Sequence, residues 1–296
     1  MTSSGPVAPV DPDDFDWASQ DGPAAVVRRV VDAAAVEDGA TPLDEAALLG
    51  LRHGLGDSDL WLAGEDAFAW RHDGAVDLAV APAARRRGLG AALAAVATAA
   101  GGPLTAWSHG NHPGAAALAA RHDFDRVRDL WVMRRSLTGL PLPPPEAADG
   151  IDIRTFESGH DEEAWLKVNA EAFAHHPEQG GMTRADLDER MAEPWFDPSG
   201  FFVATRDQQL VGFHWTKVHD ETPPYGEVYV VGVLPSAQGG DLGKRLTLTG
   251  LLHLASLGLP EVILYVEADN APAIAVYERL GFTHAAEDTH VQYARG

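Results

Sequence analysis

The chain has 296 residues and a formal net charge of −22 at pH 7, from 22 Lys and Arg against 44 Asp and Glu. The length allows two domains that each bury a core, and the acidic charge argues against a nucleic-acid partner, because phosphates select basic surfaces. The absence of Cys excludes disulfides, thiolate zinc sites and cysteine nucleophiles, and the lack of a bilayer-spanning apolar run or a targeting pattern predicts a soluble, cytoplasmic protein.

The spacing of apolar residues predicts the elements of a first domain. Residues 1–13 are rich in Ser, Pro and Asp, which predicts a flexible tail. The domain itself spans 14–138, with helices at 24–35, 44–51, 89–100 and 113–121 and strands at 60–70, 75–80, 104–107 and 127–134. The strand at 75–80 leads through a Gly-containing turn into the helix at 89–100.

A proline-rich linker is predicted at 139–150, because each Pro restricts its own backbone and that of the preceding residue. The second domain spans 151–296, with strands at 151–155, 200–205, 210–217, 226–234, 261–266 and 289–293 and helices at 161–174, 183–191, 241–255 and 272–280. This order of elements repeats that of the first domain. The sequence therefore predicts an α/β fold with a mixed (α+β) sheet, built from two tandem copies of one domain.

The repeat is clearest in one loop, which occurs at 80–90 and again at 233–243. Each copy has a strand ending in Val-x-Pro, an Arg or Gln at the same spacing, a turn that ends in Gly, and an Ala/Leu-rich helix. Such a turn presents several backbone N–H groups at a helix N-terminus, which suits a pyrophosphate. Neither copy has the P-loop pattern or the dinucleotide pattern Gly-x-Gly-x-x-Gly. An ordinary turn is the alternative for one copy, and duplication at matched spacing favours a phosphate-bearing cofactor.

Two motifs resemble those of the GNAT superfamily of N-acetyltransferases. Residues 85–90 resemble its signature Arg/Gln-x-x-Gly-x-Gly/Ala, which binds the pyrophosphate of acetyl-CoA, and residues 270–282 resemble its Asn followed by a helix ending Tyr-x-x-x-Gly-Phe. Further segments are similar to the mycothiol synthase family, tandem GNAT proteins of actinobacteria: 176–181, 195–198, 212–219, 226–230 and 264–270. The resemblance spans nearly the whole chain and is strongest from about 176 to 282.

The resemblance implies an acyltransferase that moves acetyl from acetyl-CoA to the cysteinyl amine of cysteinyl-glucosaminyl-inositol, the last step of mycothiol biosynthesis. It implies a cytoplasmic monomer with small-molecule substrates and no nucleic-acid or membrane partner. The intact loop of the first domain is a candidate for holding a second, structural coenzyme molecule. Two other functions stay open: an N-acetyltransferase for another small amine or peptide N-terminus, and a non-catalytic acetyl-CoA-binding sensor.

The resemblance also implies coenzyme contacts in both loops and at the start of the last helix. In the first domain these residues are Leu78, Ala79, Val80, Arg86, Arg87, Gly88, Leu89, Gly90 and Ala91. In the second domain they are Val231, Gly232, Val233, Gln238, Gly239, Gly240, Asp241, Leu242, Gly243, Lys244, Asn270, Ala271, Pro272, Ala273, Ile274 and Ala275.

Proton transfer distinguishes the two domains. Aligning the copies puts Gly74 and Ala119 at the positions of Glu227 and Tyr277. Acyl transfer to an amine needs a base for the ammonium and an acid for the departing thiolate, and a carboxylate with a phenol fits these roles. The resemblance therefore assigns catalysis to the second domain, with Glu227 as base, Tyr277 as acid and the Val233 N–H as oxyanion donor. A solvated carboxylate and a core aromatic residue are the alternatives for Glu227 and Tyr277.

Acceptor contacts are implied for five side chains that match substrate-contacting positions of the family. They are Asp38, Glu178, Lys217, Glu227 and Tyr265. Their carboxylate, ammonium and phenol groups suit the hydroxyls of a sugar and an inositol. Solvated surface is the alternative for Glu178, Lys217 and Tyr265, and the C-terminal turn of a helix is the alternative for Asp38.

Two local features carry separate expectations. Asp241 stands where the second loop should have its middle Gly, and its carboxylate would repel a pyrophosphate, although Lys244 and Arg245 offset that charge. We therefore expect weakened coenzyme binding in the catalytic domain. The His pairs at 109/112 and 175/176 lie at turn-like Gly or Pro sites without a complete ligand set, so they are expected to be structural and no metal is predicted.

Overall fold

The computed structural model describes residues 7–139, 142–145, 150–174 and 179–296. Within these ranges the strands are β1 (Val7–Pro9), β2 (Asp59–Ala63), β3 (Ala67–His72), β4 (Ala75–Val80), β5 (Leu104–Ser108), β6 (Asp125–Ser136), β7 (Asp152–Thr155), β8 (Phe201–Arg206), β9 (Gln209–His219), β10 (Tyr225–Val233), β11 (Glu261–Glu267) and β12 (Thr283–Arg295). The α-helices are α1 (Pro23–Asp38), α2 (Glu45–Arg52), α3 (Leu89–Ala97), α4 (Pro113–Arg121), α5 (Glu162–Ala172), α6 (Arg184–Ala192), α7 (Leu242–Ser256) and α8 (Ala271–Arg279). None of these described helices combines the length and the apolar character needed to cross a bilayer.

Contacts between residues divide the chain into two compact units. The first unit runs as far as Trp131 and also contains Glu267–Asp269 and Ala285–Gly296. The second unit contains Val132–Val266 and Asn270–His284. Each unit therefore combines segments from both halves of the chain.

This division does not follow the predicted boundary at 139–150. Most of β12 belongs to the first unit, where it pairs antiparallel with β5 from Val291 opposite Ser108 to Arg295 opposite Leu104. A sequence repeat gives the order of elements along the chain, but it does not determine which strand edge the last strand will join. The halves 14–138 and 151–296 remain the predicted domains, and the compact units differ from them chiefly in the place of β12.

Two predicted features of the N-terminal region differ from the structure. Residues Val7 to Pro9 lie within the predicted tail, yet they form β1 and pair with β2. The predicted strand at 60–70 is two antiparallel strands, β2 and β3. A turn separates them at Gly64, whose φ of 61° lies in the left-handed region that favours glycine.

The first unit has the strand order β1-β2-β3-β4-β5-β12 and a core on each face of its sheet. Because side chains alternate along a strand, Phe68 and Trp70 of β3 pack against α1 and α2, whereas Ala67 and Ala69 pack against α3. Small residues on the second face leave room for α3 to approach the sheet closely. This packing fixes the end of β4 and the start of α3, which the first Gly-containing loop connects.

The second unit has the strand order β11-β10-β9-β8-β7 and an aromatic core on one face. Trp165 of α5 packs edge-to-face against Trp215, whose ring stacks on Phe201 with centroids 4.5 Å apart. These three side chains are completely buried. Such aromatic pairs add about 0.5–1.5 kcal/mol each beyond the burial of their surface. They hold α5 and the middle of β9 rigidly beside β10.

A buried histidine joins α7 to the other face of this sheet. His214 of β9 is fully buried, and burial lowers its pKa to about 4, so its imidazole is neutral. Its Nδ1 lies 2.7 Å from the Leu246 carbonyl oxygen and donates a hydrogen bond to it. Gly250 makes this approach possible, since a Cβ atom there would lie 2.1 Å from Cε1 of His214.

Replacing Gly250 by Ala is expected to destabilise the full chain by about 1–3 kcal/mol, the usual range for overpacking. The measurement is urea unfolding followed by tryptophan fluorescence. Gly243→Ala is the matched control, because it lies in the same helix and the nearest atom to its new Cβ is 3.9 Å away. Equal unfolding midpoints for the two variants would show that His214 does not restrict α7.

Candidate active site

The two predicted coenzyme loops have similar backbones that differ at one aligned position, where Gly240 has a φ of 60° and Arg87 lies outside the left-handed region. Each strand is followed by a short 3₁₀ turn, at Pro82–Ala84 and at Pro235–Ala237, and then by residues with positive φ. The residue before the helix is left-handed in both copies, with φ of 88° at Gly88 and 60° at Asp241. The duplicated spacing in the sequence therefore corresponds to similar geometry, with backbone N–H groups at the start of α3 and α7.

Arginines dominate the first loop. Both terminal nitrogens of Arg85 lie 2.6 Å from the carboxylate oxygens of Asp38, and its Nε donates to the Val80 carbonyl oxygen. The hydrogen bond with Asp38 raises the pKa of Arg85, so the guanidinium stays charged. Arg87 donates to the Ala83 carbonyl oxygen, and Arg86 is exposed. Asp38 is therefore an ion-pair partner of the first loop.

The second loop carries fewer charged groups. Gln238, Gly239, Gly240 and Asp241 are all exposed, and the Asp241 side chain makes no capping hydrogen bond to α7. Lys244 is half-buried. Arg245 is buried, and its Nε and Nη1 atoms have no hydrogen-bond partner among the described residues. The loop thus presents backbone donors together with a carboxylate that is not satisfied by the helix.

The end of β10 separates from β11. The two parallel strands pair from Gly226 to Val228, whereas β10 continues to pair with β9 as far as Val233. Val233 lies opposite Gly212, and the Leu234 N–H donates to the Val211 carbonyl oxygen. In an antiparallel ladder this pattern makes the Val233 position a non-hydrogen-bonded pair, so its own N–H points away from β9.

The N–H of Val231 has the same orientation, because it lies two residues earlier on the same strand. Both donors therefore face the side on which β11 diverges. Val80 of β4 has an equivalent position in the first unit, since the Ala81 N–H donates to the Asp66 carbonyl oxygen and Val80 lies opposite Ala67. The splayed strand end is thus present twice.

Glu227 lies on β10, one residue before the end of the β11 pairing. It is only 5 % exposed, and its Oε2 lies 2.6 Å from Nε2 of His219. The His219 ring stacks on Tyr225, with centroids 4.4 Å apart and an interplanar angle of 13°. A buried carboxylate with a specific partner is not a solvated surface group.

Lys217 lies directly opposite Glu227 across the β9–β10 ladder. Its Nζ lies 4.3 Å from the centroid of the Trp195 ring and 5.3 Å from that of Tyr229. These cation–π contacts hold the ammonium between two aromatic rings. Lys217 and Glu227 thereby place opposite charges on one face of the sheet.

Tyr265 and Glu178 are also predicted to contact the acceptor, and the structure describes only the first of them. Tyr265 of β11 is 41 % exposed, and desolvation of its hydroxyl together with the charge of Glu227 raises its pKa. It therefore remains a hydrogen-bond donor at neutral pH. Glu178 lies outside the described residues.

Tyr277 lies on α8, whose N-terminus is capped by Asn270 through a hydrogen bond from the Ala273 N–H to its side-chain oxygen. The Tyr277 ring packs edge-to-face on Phe282, with centroids 5.9 Å apart. Desolvation raises its pKa to about 12, so the phenol stays protonated through the neutral range. The first helical residues, Ala271 and Pro272, are exposed beside this cap.

The first unit lacks both groups at the corresponding positions. A β-bulge in β10 shifts the register by one residue, so Ala75, rather than the aligned Gly74, matches Glu227 by its distance along the ladder. Ala119, the residue aligned with Tyr277, lines an apolar cavity of about 90 Å³.

Sequence reasoning missed two pairs of polar residues. The first unit contains a close contact of 2.7 Å between His72 and Asp77, and the second contains His219 beside Glu227. Alternation of side chains along β9 places His219 on the same face as Lys217. Only the register between β9 and β10 shows that His219 lies beside Glu227.

The predicted non-metal roles of the described histidines can be compared with their contacts. His112 accepts a hydrogen bond from the Gly114 N–H at the start of α4, and His109 contacts His290 through their Nδ1 atoms at 2.9 Å. Across the described ranges, His, Asp and Glu side chains do not gather in groups of three or more suited to a metal ion. His175 and His176 lie outside those ranges.

Comparison with known proteins gives a consistent picture. The model of the acetyltransferase (GNAT) family matches residues 165–282. Mycothiol acetyltransferase of Nocardioides sp. is 55 % identical over 290 residues, covering 92 % of this chain and 97 % of the relative. Mycothiol acetyltransferase of Thermomonospora curvata is 53 % identical, covering 90 % of this chain and 92 % of the relative.

Solved structures share the fold along the whole chain. A tandem GNAT protein from the clavulanic acid biosynthesis pathway has a TM-score of 0.71 at 20 % identity and covers 98 % of both chains. A GCN5-related N-acetyltransferase from Sphaerobacter thermophilus has a TM-score of 0.68 at 24 % identity, covering 98 % of this chain and 94 % of its own. The expected mixed α/β fold of two tandem GNAT-like domains is confirmed, and the chain belongs to the mycothiol acetyltransferase family of GNAT proteins.

Proposed function

We propose that this protein transfers acetyl from acetyl-CoA to the cysteinyl amine of cysteinyl-glucosaminyl-inositol, the last step of mycothiol biosynthesis. The observation that carries the proposal is the buried Glu227 on β10, six residues before the splayed strand end at Val233. The names of relatives at 53–55 % identity support the same acceptor. The proposal places a monomeric enzyme in the cytoplasm.

The coenzyme substrate would bind along the splayed end of β10 and at the start of α7. Its pantetheine amides suit the N–H groups of Val231 and Val233, and its pyrophosphate suits the loop from Gln238 to Lys244. The exposed first turn of α8 supplies a further contact surface. The first loop, with its intact signature and Arg86 and Arg87, is proposed to hold a second, structural coenzyme molecule.

The chemistry divides among three groups. The Glu227 carboxylate takes a proton from the acceptor ammonium, and the freed amine attacks the thioester carbon. The Val233 N–H donates to the carbonyl oxygen as negative charge develops there. Tyr277 donates its proton to the departing thiolate, and the second proton of the amine leaves to solvent, so the reaction releases one proton overall.

The acceptor would lie on the face of the sheet that carries Lys217. We propose that Lys217 and Tyr265 bind hydroxyls of the sugar and inositol, with Glu178 and Asp38 as further contacts. For Asp38 this role requires a carboxylate lone pair beyond those used by Arg85. Catalysis is assigned to the half 151–296, and the half 14–138 is proposed to be non-catalytic.

The proposal predicts enzyme-dependent gain of one acetyl group when the purified chain is incubated with acetyl-CoA and cysteinyl-glucosaminyl-inositol. Glu227→Gln should lower kcat by about 100-fold while leaving coenzyme binding nearly unchanged, because general-base catalysis contributes about 10²–10⁴-fold. Mass spectrometry of the acceptor is the measurement, and Glu171→Gln on the exposed face of α5 is the matched control. Coenzyme binding without acceptor acetylation would redirect the search to other amines and then to a sensor.

Tyr277→Phe is expected to lower kcat by about 10–100-fold with little change in the KM for either substrate, since one proton donor is lost. In the parent enzyme no activity should be lost through ionisation of Tyr277 below about pH 11, because its pKa is about 12. Steady-state rates from pH 6 to 10 test both points. Tyr293→Phe in the first unit is the control, and equal losses in both variants would remove Tyr277 as the acid.

Asp241→Gly is expected to lower the KM for acetyl-CoA by about 3–10-fold, because it removes a carboxylate beside the pyrophosphate and relieves a left-handed φ at a non-Gly residue. The full chain is the appropriate protein, since β12 pairs within the first unit. Asp207→Gly is the matched control, with a φ of 50° at a site outside the loop. An unchanged KM would show that Asp241 does not weaken coenzyme binding.

A further inference from the structure

The mechanism above leaves one close partner of Glu227 without a role. Nε2 of His219 lies 2.6 Å from Oε2 of Glu227, and the two side chains are 17 % and 7 % exposed. Because an ionised carboxylate can only accept, the proton in this contact belongs to Nε2. His219 therefore donates to Oε2 and leaves Oε1 as the acceptor for another group.

The His219 ring is held on its other sides as well. Tyr225 stacks on it at 4.4 Å, which fixes the plane of the imidazole. The Nδ1 atom faces Glu221, with 3.9 Å between Nδ1 and the carboxylate oxygen. Glu221 is 59 % exposed, so Nδ1 lies towards the solvent side of the pair.

We propose that His219 is the positioning residue of the catalytic base, orienting Glu227 through Nε2–H so that Oε1 takes the ammonium proton of the acceptor. This inference rests on the proposed function, in which Glu227 is the base. The ammonium N–H bond breaks and an Oε1–H bond forms, while the Nε2–H of His219 stays in place. The neutral imidazole is the competent form.

Protonation of Nδ1 changes the strength of the base. The resulting imidazolium would stabilise the ionised carboxylate of Glu227 and thereby weaken its attraction for the ammonium proton. The charged and titratable groups around the pair include Lys217, directly opposite Glu227 across the β9–β10 ladder, Glu221 beside Nδ1, and Tyr225 stacked on the ring. Arg134 and Glu261 also act electrostatically on Tyr225, and Glu227 acts on Tyr265. Arg134 is paired with Glu261, with 3.1 Å between Nη1 and the carboxylate oxygen. Protonation of His219 should therefore lower the activity.

Two variants distinguish the hydrogen bond that His219 donates from the ability of His219 to gain a proton. His219→Gln retains an N–H donor near the place of Nε2 but cannot gain a proton, so we expect kcat at pH 8 within about threefold of the parent. Its profile of kcat against pH, measured at saturating acceptor, should keep its activity to lower pH. His219→Leu removes the donor, and kcat should fall by about 10–100-fold at unchanged KM for acetyl-CoA, the cost expected for a hydrogen bond to a charged group.

His53→Gln, at an exposed histidine of the first unit, is the matched control and should leave kcat and its pH profile unchanged. Thermal unfolding establishes that each variant is folded, and if His219→Leu does not fold, the pH profile of His219→Gln alone decides. The positioning role would be overturned if His219→Leu kept the kcat of the parent, or if the acid limb of the kcat–pH profile were the same in His219→Gln as in the parent. Glu227→Gln would still test the base independently. Absence of acetyl transfer by the parent would overturn the proposed function and this inference together.

Discussion

The candidate site depends on a strand that pairs differently on its two sides. β10 pairs with β9 as far as Val233, but its pairing with β11 ends at Val228. A buried backbone N–H without a partner costs about 1–3 kcal/mol, so a splayed strand is stable only when a ligand or solvent satisfies its donors. The extended coenzyme substrate, with its amide groups, is chemically suited to that edge. The packing of β9 against the Trp165–Trp215 core keeps β10 in place while its other edge remains open.

The β-bulge determines which side chains accompany this edge. Val228 lies opposite Thr216 and Val230 opposite Trp215, so Tyr229 is an extra residue between them. Strict alternation would place Glu227 and Val230 on opposite faces, because they are three residues apart. The bulge instead turns both towards the face of Trp215 and Lys217. The Glu227 carboxylate, the Lys217 ammonium and the Trp215 ring thus share one side of the sheet, and the inserted residue brings Val230 to that side as well.

The sequence contained enough to predict most of the elements, the repeated loop and the family, although β1 and the separation of β2 from β3 were missed. Loop spacing is local, and the matched spacing of Val80 to Gly90 and Val233 to Gly243 was sufficient to predict two loops that each lead into a helix N-terminus. The pairing of β12 with β5 could not be predicted in this way, because it joins residues that are about 180 positions apart in the chain. The pairing of His219 with Glu227 was missed for a related reason. It requires the register of two strands and the position of a bulge, which alternation along one strand does not contain.

Charge at the coenzyme loop is set locally rather than by the whole chain. The net charge of −22 opposes an anionic coenzyme, but at physiological ionic strength the Debye length is about 8 Å, so distant carboxylates are largely screened. Asp241 and Arg245 are four residues apart at the start of α7, and Lys244 lies between them. A buried guanidinium whose Nε and Nη1 lack protein acceptors within the described residues favours an anion nearby, and the exposed Asp241 side chain does not bond to these atoms. On the proposed function, a coenzyme phosphate would satisfy this guanidinium, whereas the Asp241 carboxylate would repel the phosphate at close range. The departure from the glycine signature is therefore expected to weaken coenzyme binding, while Lys244 and Arg245 still favour it.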